Sequence, residues 1–257
     1  MAKVIALANQ KGGVGKTTTC VNLSAALHTL GKKILLCDMD PQGHATIGFG
    51  VSKRDSGATV YDVLIGRVSP ENAVRKTPYG DLLSANTNLA GAEVEMMTIE
   101  NRHYILRDAL NSLRDRYDYI LIDCPPSLGQ LTINALCAAD TVLVPVDCGF
   151  YALEGLSALT ATMSTLKKGL NTVLDIEGVL LTMFDGRTNL SIQIAQEVKK
   201  YFPGKVFATA IPRNVRLAEA PSHGKPINIY DKYSKGAECY GLLAQEIIEK
   251  NEKGAGK

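Results

Sequence analysis

The sequence has no tryptophan, and only 6% of its residues are aromatic. It also lacks an apolar run of the roughly 18 residues that a transmembrane helix needs, so it does not predict a membrane-spanning protein. The first residues, Met1-Ala2-Lys3, lead directly into an apolar strand pattern and have none of the features of a secretory signal peptide. We therefore expect a cytoplasmic location.

The six cysteines include no C-x-x-C pair, which is the spacing typical of zinc sites and redox dithiols. They lie mostly in apolar segments, where a thiol behaves as a small hydrophobic group. We expect buried, reduced thiols rather than disulfides or zinc ligands. An iron–sulfur site, with one cysteine contributed across a dimer axis, is the alternative.

No strong excess of one charge is present, since the formal net charge is +2. The basic residues are nevertheless concentrated between Asp185 and Lys235, where nine lysines and arginines stand against four acidic residues. Such a segment is either a solvated surface or a surface that binds a polyanion.

Short apolar runs alternate with helical patterns along the chain. Strands are predicted over Val4–Ala8, Ile34–Cys37, Tyr119–Ile122, Val142–Val146, Val179–Met183 and Val206–Ala210. Helices are predicted over Lys16–Leu30, Tyr104–Arg114, Leu131–Cys137, Leu153–Leu166, Leu190–Tyr201 and Ala237–Glu249. Because strands buried on both faces and linked by helices form parallel sheets, we expect a single-domain, doubly wound α/β fold over residues 1–250. Residues 251–257 are expected to form a flexible tail.

A glycine-rich segment separates the first predicted strand from the first helix. Its residues are Lys11, Gly12, Gly13, Val14, Gly15, Lys16, Thr17 and Thr18. Backbone N–H groups and the positive end of the helix dipole make such a loop a polyphosphate site, in which Lys16 contacts the β- and γ-phosphates and Thr17 ligates Mg²⁺. The pattern departs from G-x-x-x-x-G-K-S/T because Gln10 replaces the first glycine.

Several carboxylates stand where apolar runs end, which is the edge of a parallel sheet where ligands bind. Asp123 follows Ile120-Leu121-Ile122 and is a candidate Mg²⁺ ligand. Asp38 is a candidate for the water shell of the same ion. Asp40 lies in a turn made rigid by Pro41 and Gly43, so it is a candidate catalytic residue that orients the water attacking the γ-phosphate.

The second lysine of the loop, Lys11, needs an explanation of its own because Lys16 already contacts the phosphates. If two subunits face each other across their nucleotides, Lys11 can reach the phosphates of the partner and act there as an arginine finger does. The small residues Gly12 and Gly13 would then permit the close approach. The alternative is a solvated surface lysine.

These motifs resemble the deviant Walker A ATPases of the ParA/MinD type. The similarity extends over essentially the whole chain and is most specific in the segments 181–189 and 211–226, which resemble the chromosomal ParA/Soj subfamily. Two small departures are His44, where many members have asparagine, and Gly186, where alanine is frequent. The resemblance implies a P-loop ATPase that uses ATP and Mg²⁺ as cofactors.

The resemblance further implies an ATP-dependent sandwich homodimer in which Lys11 acts in trans. Such dimers bind double-stranded DNA without sequence preference, associate with the nucleoid and release the DNA after hydrolysis stimulated by a ParB-type centromere-binding protein. Residues matching Arg187 and Arg216 contribute to this DNA binding, and Met183 and Pro212 would pack against adenine. Packing of Met183 in the core is an equally good interpretation of that residue.

A MinD-like ATPase that binds a membrane surface is the alternative function. It requires a basic amphipathic helix at the C-terminus. The segment 246–254 instead carries three glutamates, and its apolar face ends in glycine and lysine. We therefore expect no membrane partner.

Overall fold

The computed structural model describes residues 1–55, 57–149 and 152–255, and in these residues seven strands form one sheet. The strands are β1 (Lys3–Leu7), β2 (Ile34–Asp38), β3 (Val74–Thr77), β4 (Gly80–Leu83), β5 (Tyr119–Asp123), β6 (Thr141–Asp147) and β7 (Asp175–Thr182). Their order is β3-β4-β2-β5-β1-β6-β7, and all neighbouring pairs are parallel except β3 and β4. This confirms the predicted single-domain α/β fold with a mostly parallel sheet.

Helices cover both faces of the sheet. They are α1 (Lys16–Thr29), α2 (His44–Gly48), α3 (Val60–Leu64), α4 (Pro70–Ala73), α5 (Leu89–Glu95), α6 (Ile105–Asn111), α7 (Gln130–Ala138), α8 (Ala152–Gly169), α9 (Asn189–Tyr201), α10 (Val215–Glu219), α11 (Ile227–Tyr230) and α12 (Lys235–Ala255). Successive side chains of a strand point to opposite faces, so in β1 Val4 and Ala6 pack into one core and Ile5 and Leu7 into the other. Every central strand therefore reads as a continuous apolar run.

The register of the central strands brings the predicted carboxylates to one edge. Asp38 at the end of β2 lies directly opposite Asp123 at the end of β5, and Asp123 lies opposite Leu7 at the end of β1. The glycine-rich loop begins immediately after β1 and leads into α1. The sheet thus places the loop and two carboxylates next to one another.

The predicted strand over Val206–Ala210 is wrong. The segment runs beside β7, where the Phe207 N–H donates to the Val179 carbonyl at 3.0 Å and the Ile211 N–H donates to the Leu181 carbonyl at 2.8 Å. Between these bonds, the N–H groups of Ala208 and Thr209 donate to the Glu246 carboxylate of α12 at 2.7 and 3.1 Å. Because the Glu246 carboxylate accepts these two N–H groups, they are not available for hydrogen bonds to a neighbouring strand. Only isolated bridges form in this segment.

Two strands were not predicted. β3 and β4 have four residues each, and β3 is half-exposed and polar, so neither has the apolar run that marked the other strands. β4 is placed by its parallel pairing with β2, which is a contact between residues far apart in the sequence.

The last helix is longer than predicted. α12 continues to Ala255, so residues 251–255 of the expected tail are helical. The Asn251 amide donates to a carboxylate oxygen of Glu177 at 3.1 Å, and the Lys250 ammonium contacts the Glu177 carbonyl. These two contacts with Glu177 of β7 stabilise the end of α12 beyond the last residues of its apolar pattern.

Candidate functional site

Two glycines give the loop after β1 its shape. Gly13 and Gly15 have φ values of +75° and +87°, a backbone conformation that other residues adopt at a cost. Gly15 immediately precedes α1, so the loop ends at a helix N-terminus. The Thr182 hydroxyl at the end of β7 donates to the Val14 carbonyl at 2.8 Å and fixes the loop to the sheet. The predicted phosphate loop therefore has a preformed conformation.

A pocket of about 570 Å³ opens above this loop. Eight of the ten residues predicted to bind the nucleotide line it: Gly12, Gly13, Gly15, Lys16, Thr17, Thr18, Met183 and Pro212. The other two, Lys11 and Val14, do not, because Val14 is buried and Lys11 is held elsewhere. The volume falls in the range of ordinary cofactor pockets.

Lys16 is the buried cation of the pocket, with 7% of its surface exposed. Its ammonium donates to the Lys11 carbonyl at 3.1 Å. Burial lowers the pKa of Lys16, and the nearby carboxylates of Asp123 and Asp40 act in the opposite direction. A poorly hydrated ammonium next to backbone N–H groups is a favourable partner for phosphate oxygens.

Asp38 and Asp123 form a buried pair of carboxylates below the pocket, and both are completely buried. Burial raises the pKa of Asp38 to about 6, although hydrogen bonds from Thr46 act to lower it. Burial and the neighbouring Asp38 together raise the pKa of Asp123 well above its ordinary value. The Thr17 hydroxyl opposes this shift without reversing it.

The two carboxylates differ in their partners. Asp38 accepts hydrogen bonds from the Thr46 N–H and hydroxyl at 2.8 and 2.7 Å and from the Asp40 N–H at 3.2 Å. Neither oxygen of Asp123 has a hydrogen-bond partner of good geometry among the residues described. Buried polar atoms without partners are costly, so Asp123 is the better candidate for a metal ligand and Asp38 a residue that positions Asp40.

The donor set fits Mg²⁺, which prefers oxygen ligands. Thr17 contributes a hydroxyl at the pocket, and Asp123 contributes a carboxylate whose oxygens have no hydrogen-bond partner of good geometry among the described residues. A cation there would relieve the repulsion between Asp38 and Asp123 and compensate the burial of both. The predicted pairing of Thr17 with Asp123 is therefore chemically consistent.

Asp40 lines the same pocket and is 9% exposed. One of its oxygens accepts the Gln42 N–H at 2.8 Å, which closes the predicted turn. Gly43 ends the turn with φ +57°, and a Cβ there would lie 2.7 Å from the Ala85 carbonyl. Glycine is thus required at this position, and the turn holds Asp40 at the pocket wall.

Lys11 forms an ion pair within its own chain. Its ammonium lies 3.0 and 2.9 Å from the two oxygens of Asp147, at the end of β6. The neighbouring Asn9 supports the arrangement, since its oxygen accepts the Lys11 N–H at 3.0 Å and its amide donates to the Pro145 carbonyl at 2.7 Å. Nothing in the local sequence pattern identifies Asp147 as the partner of Lys11, because the two residues are 136 positions apart in the chain.

Met183 and Pro212, which were predicted to pack against adenine, both line the pocket. Met183 has φ +49°, a strained conformation for a side chain of this type, and strain of this kind is often found at functional sites. The Phe184 N–H donates to the Ile211 carbonyl at 3.0 Å and holds the two segments together. The pocket lining also includes residues that were not predicted, among them Thr182, Ile211, Arg213, Asn214, Leu217, Ala218 and Tyr240.

The two predicted DNA-binding arginines lie at the surface. Arg187 is 89% exposed at its side chain and forms a two-point ion pair with Asp185, which lowers the pKa of that carboxyl to about 2. Arg216 is 55% exposed and lies between Glu219 at 2.9 Å and Asp231 at 3.5 Å. Both guanidinium groups are accessible, yet each has acidic neighbours that the sequence did not reveal.

The six cysteines are free and buried, as predicted. Burial raises the pKa of the Cys20, Cys37 and Cys124 thiols, which keeps them protonated. Within residues 1–55, 57–149 and 152–255, no group of three or more potential ligands (His, Cys, Asp or Glu) has a geometry that could hold a metal ion.

A family model described as an AAA domain matches residues 2–176. Sporulation initiation inhibitor protein Soj from Bacillus subtilis (strain 168) is 56% identical over 249 residues, which are 96% of this chain and 98% of that protein. Chromosome-partitioning ATPase Soj from Treponema pallidum (strain Nichols) is 47% identical over 253 residues, covering 98% of this chain and 99% of the relative.

A solved structure is also closely similar. Cobyrinic acid a,c-diamide synthase from Mycobacterium smegmatis, with bound ADP and magnesium, superposes with a TM-score of 0.87 at 38% sequence identity. The match covers 99% of this chain and 97% of the other. The pocket built on β1, β2 and β5 thus belongs to a fold that holds a magnesium nucleotide in at least one relative.

Proposed function

Because the chain belongs to the ParA/Soj family of chromosome-partitioning ATPases, we propose that it hydrolyses ATP with Mg²⁺ to control its binding to DNA. Its ATP-bound homodimer binds double-stranded DNA without sequence preference and is nucleoid-associated. A ParB-type protein stimulates hydrolysis, and the ADP form releases the DNA. The two Soj proteins are 56% and 47% identical to this chain and the synthase 38%, which supports partitioning over a synthase activity.

One observation carries the link between nucleotide and DNA. The segment 213–218 lines the nucleotide pocket through Asn214, Leu217 and Ala218, and the same segment presents Arg216 to solvent. The Asn214 side chain also accepts the Arg216 N–H at 2.8 Å and begins α10. A change in what fills the pocket therefore acts directly on the element that bears a DNA-binding arginine.

Hydrolysis uses residues that line the pocket together with the buried carboxylates Asp38 and Asp123. Thr17 and Asp123 would hold Mg²⁺, which supplies positive charge to the phosphates when it is bound. Lys16 binds the β- and γ-phosphates, and Asp40 orients the attacking water or accepts its proton. Asp38 keeps Asp40 in place through the bond from the Asp40 N–H.

Lys11 acts on the nucleotide of the second subunit. To do so, its ammonium must leave Asp147. In this ion pair the Lys11 side chain is 30% exposed and the Asp147 side chain 20% exposed. Phosphate oxygens of the partner's ATP then replace the carboxylate. The exchange of one anionic partner for another ties the position of Lys11 to dimer formation.

Gly12 gives a direct test of the close approach. A Cβ at Gly12 would meet no atom within 4 Å, and Gly12 does not have a positive φ, so the fold of one chain does not require glycine there. We expect Gly12→Val to fold and bind ATP but to stay monomeric with a non-hydrolysable ATP analogue, because the branched side chain would lie between the subunits. Sedimentation velocity measures this, and a Gly12→Val protein that dimerises as wild type does would contradict the proposal.

The DNA surface is tested by Arg187→Ala combined with Arg216→Ala. We expect DNA affinity of the ATP-bound form to fall by about tenfold or more, with a smaller dependence on salt, because fewer phosphates are neutralised. Fluorescence anisotropy on duplexes of unrelated sequence, over a salt series, makes the measurement. Lys167→Ala with Lys168→Ala, at the exposed end of α8, is the matched control for lost charge. Unchanged binding by the arginine variant would show that this surface is merely solvated.

The MinD-like alternative receives no support from α12. Its apolar residues are packed against the core, among them Tyr240, Leu243 and Ile247. An apolar face that is already buried is not available to a membrane surface. In the part of the chain described, no helix is long and apolar enough to cross a bilayer.

A further inference from the structure

A second cleft, of about 890 Å³, lies outside the nucleotide pocket. It is formed by the segments 47–54, 76–79 and 221–225. Its lining includes Lys53, Arg54, Lys76, His223 and Lys225, and no described aspartate or glutamate is part of it. We call it the basic cleft.

Most of its positive charge is not compensated. Lys76 is paired with Asp81 at 2.8 Å. The Lys53 ammonium contacts the neutral Gln42 carbonyl and no acidic group among the described residues. The side chains of Arg54 and Lys225 make no hydrogen bond or ion pair with any other described residue. Three cations therefore face the cleft without an acidic partner, whereas surface lysines are usually interspersed with acids.

The cleft has a preformed base. Gly50 and Gly224 both have positive φ, and a Cβ at Gly224 would lie 3.1 Å from the Gly50 Cα. The loop after α2 and the loop after α10 thus touch backbone to backbone. Phe49 and Tyr79 pack edge to face, with ring centroids 6.0 Å apart, and form part of the lining. The cations are consequently arranged around a fixed concavity.

The cleft is connected to the segment that carries Arg216. The turn Ala220–His223 follows α10 directly, and the His223 ring stacks on Tyr230 with centroids 4.9 Å apart. The Tyr230 hydroxyl in turn donates to Glu219 at 3.2 Å, and Glu219 pairs with Arg216. One short segment, residues 216–225, therefore carries Arg216 at one end and lining residues of the basic cleft at the other.

We propose that the basic cleft binds the phosphodiester backbone of the DNA duplex that also contacts Arg216. The inference rests on the proposed DNA binding and adds a second contact surface to it. Lysine and arginine side chains contact phosphates without reading bases, so the added surface raises affinity and leaves sequence preference unchanged. The continuity with Arg216 favours a duplex over a separate small anion.

The test is the double variant Arg54→Ala with Lys225→Ala, because neither side chain has another described partner whose loss would disturb the fold. Lys53 is left unchanged since it contacts the turn that carries Asp40. With a non-hydrolysable ATP analogue, we expect DNA affinity to fall at least tenfold and the slope of log affinity against log salt to decrease by about 2 per subunit. ATP affinity and dimer formation should remain those of wild type.

Lys167→Ala with Lys168→Ala removes the same charge elsewhere and should change the salt slope little. If the cleft variant keeps the wild-type slope while Arg187→Ala with Arg216→Ala loses DNA, the cleft inference is wrong and the proposed function stands. If the wild-type dimer does not bind duplex DNA, both are wrong.

Inorganic tripolyphosphate is the second probe. If the wild-type protein binds tripolyphosphate, and the cleft variant loses this binding but still binds DNA, the cleft is a small-anion site and the inference is overturned. Should the alanine pair fold poorly, Arg54→Gln with Lys225→Gln removes the same charges.

Discussion

Lys16→Ala is expected to lower ATP affinity by about a hundredfold or more, equivalent to about 3 kcal/mol of binding free energy. The side chain is 7% exposed, lines the pocket and donates only to a loop carbonyl, so its ammonium is free to exchange that partner for phosphate oxygens. Charge-assisted bonds of this kind in a dry site are among the strongest single contributions to phosphate binding. Isothermal titration calorimetry with ATP and Mg²⁺ measures the loss.

The variant should remain folded, because the hydrogen bond that the Lys16 ammonium donates goes to the Lys11 carbonyl of the loop and not to a carboxylate. Its thermal unfolding in the absence of nucleotide is therefore the control, and Lys167→Ala supplies a protein of equal charge with an intact loop. Loss of ATP binding should also abolish ATP-dependent dimer formation and DNA binding. An alanine variant that binds ATP as wild type does would contradict the role assigned to Lys16.

Asp40→Ala is expected to reduce ATP turnover by about a hundredfold or more, the usual contribution of a positioned general base, and to leave ATP affinity nearly unchanged. Asp40 lines the pocket, but the proposed Mg²⁺ ligands are two other residues, Thr17 and Asp123. The variant should thus accumulate as an ATP-bound dimer that holds DNA. A steady-state phosphate-release assay, together with DNA binding by the same protein, tests both halves of the expectation.

Asp40→Asn separates catalysis from the structure of the turn. Its amide oxygen still accepts the Gln42 N–H, so the turn ending at Gly43 should persist. We expect Asp40→Asn to be nearly as inactive as Asp40→Ala with a higher unfolding temperature. Wild-type turnover in either protein would exclude a catalytic role.

Local sequence was sufficient for the central part of the fold and the floor of the site. The apolar runs over β1, β2, β5 and β6 have the burial that a sheet covered on both faces requires, and a carboxylate follows each of the last three. Since ligands bind at the carboxyl edge of such a sheet, the strand ends and the glycine-rich loop were sufficient to select Lys16, Thr17, Asp40 and Asp123 as candidates.

The features of the fold and of the site that the sequence did not predict depend on contacts that local patterns do not encode. Glu246 binds the amides of Ala208 and Thr209 across the sequence and prevents a regular strand there. Asp147 pairs with Lys11 only because β1 and β6 are neighbours in the sheet. The hydrogen bonds that Asp38 accepts from Thr46 and Asp40 depend on the turn that follows β2, and the strand pattern that marked Asp38 as a candidate did not reveal them.

The position of Arg216 was likewise not evident from the sequence. The charge pattern identified a basic segment, but it did not show that α10 borders the nucleotide pocket or that Glu219 and Asp231 flank the guanidinium. Because a phosphate must compete with these carboxylates, the arginine is expected to bind DNA weakly in one subunit and effectively only in a dimer that doubles the surface.

Sedimentation velocity with a saturating non-hydrolysable ATP analogue and Mg²⁺ is the measurement that most directly tests this account. We predict a species of twice the monomer mass, absent without nucleotide and absent for Gly12→Val. A wild-type protein that stays monomeric under saturation would contradict the sandwich dimer and, with it, the trans role of Lys11 and the nucleotide control of DNA binding.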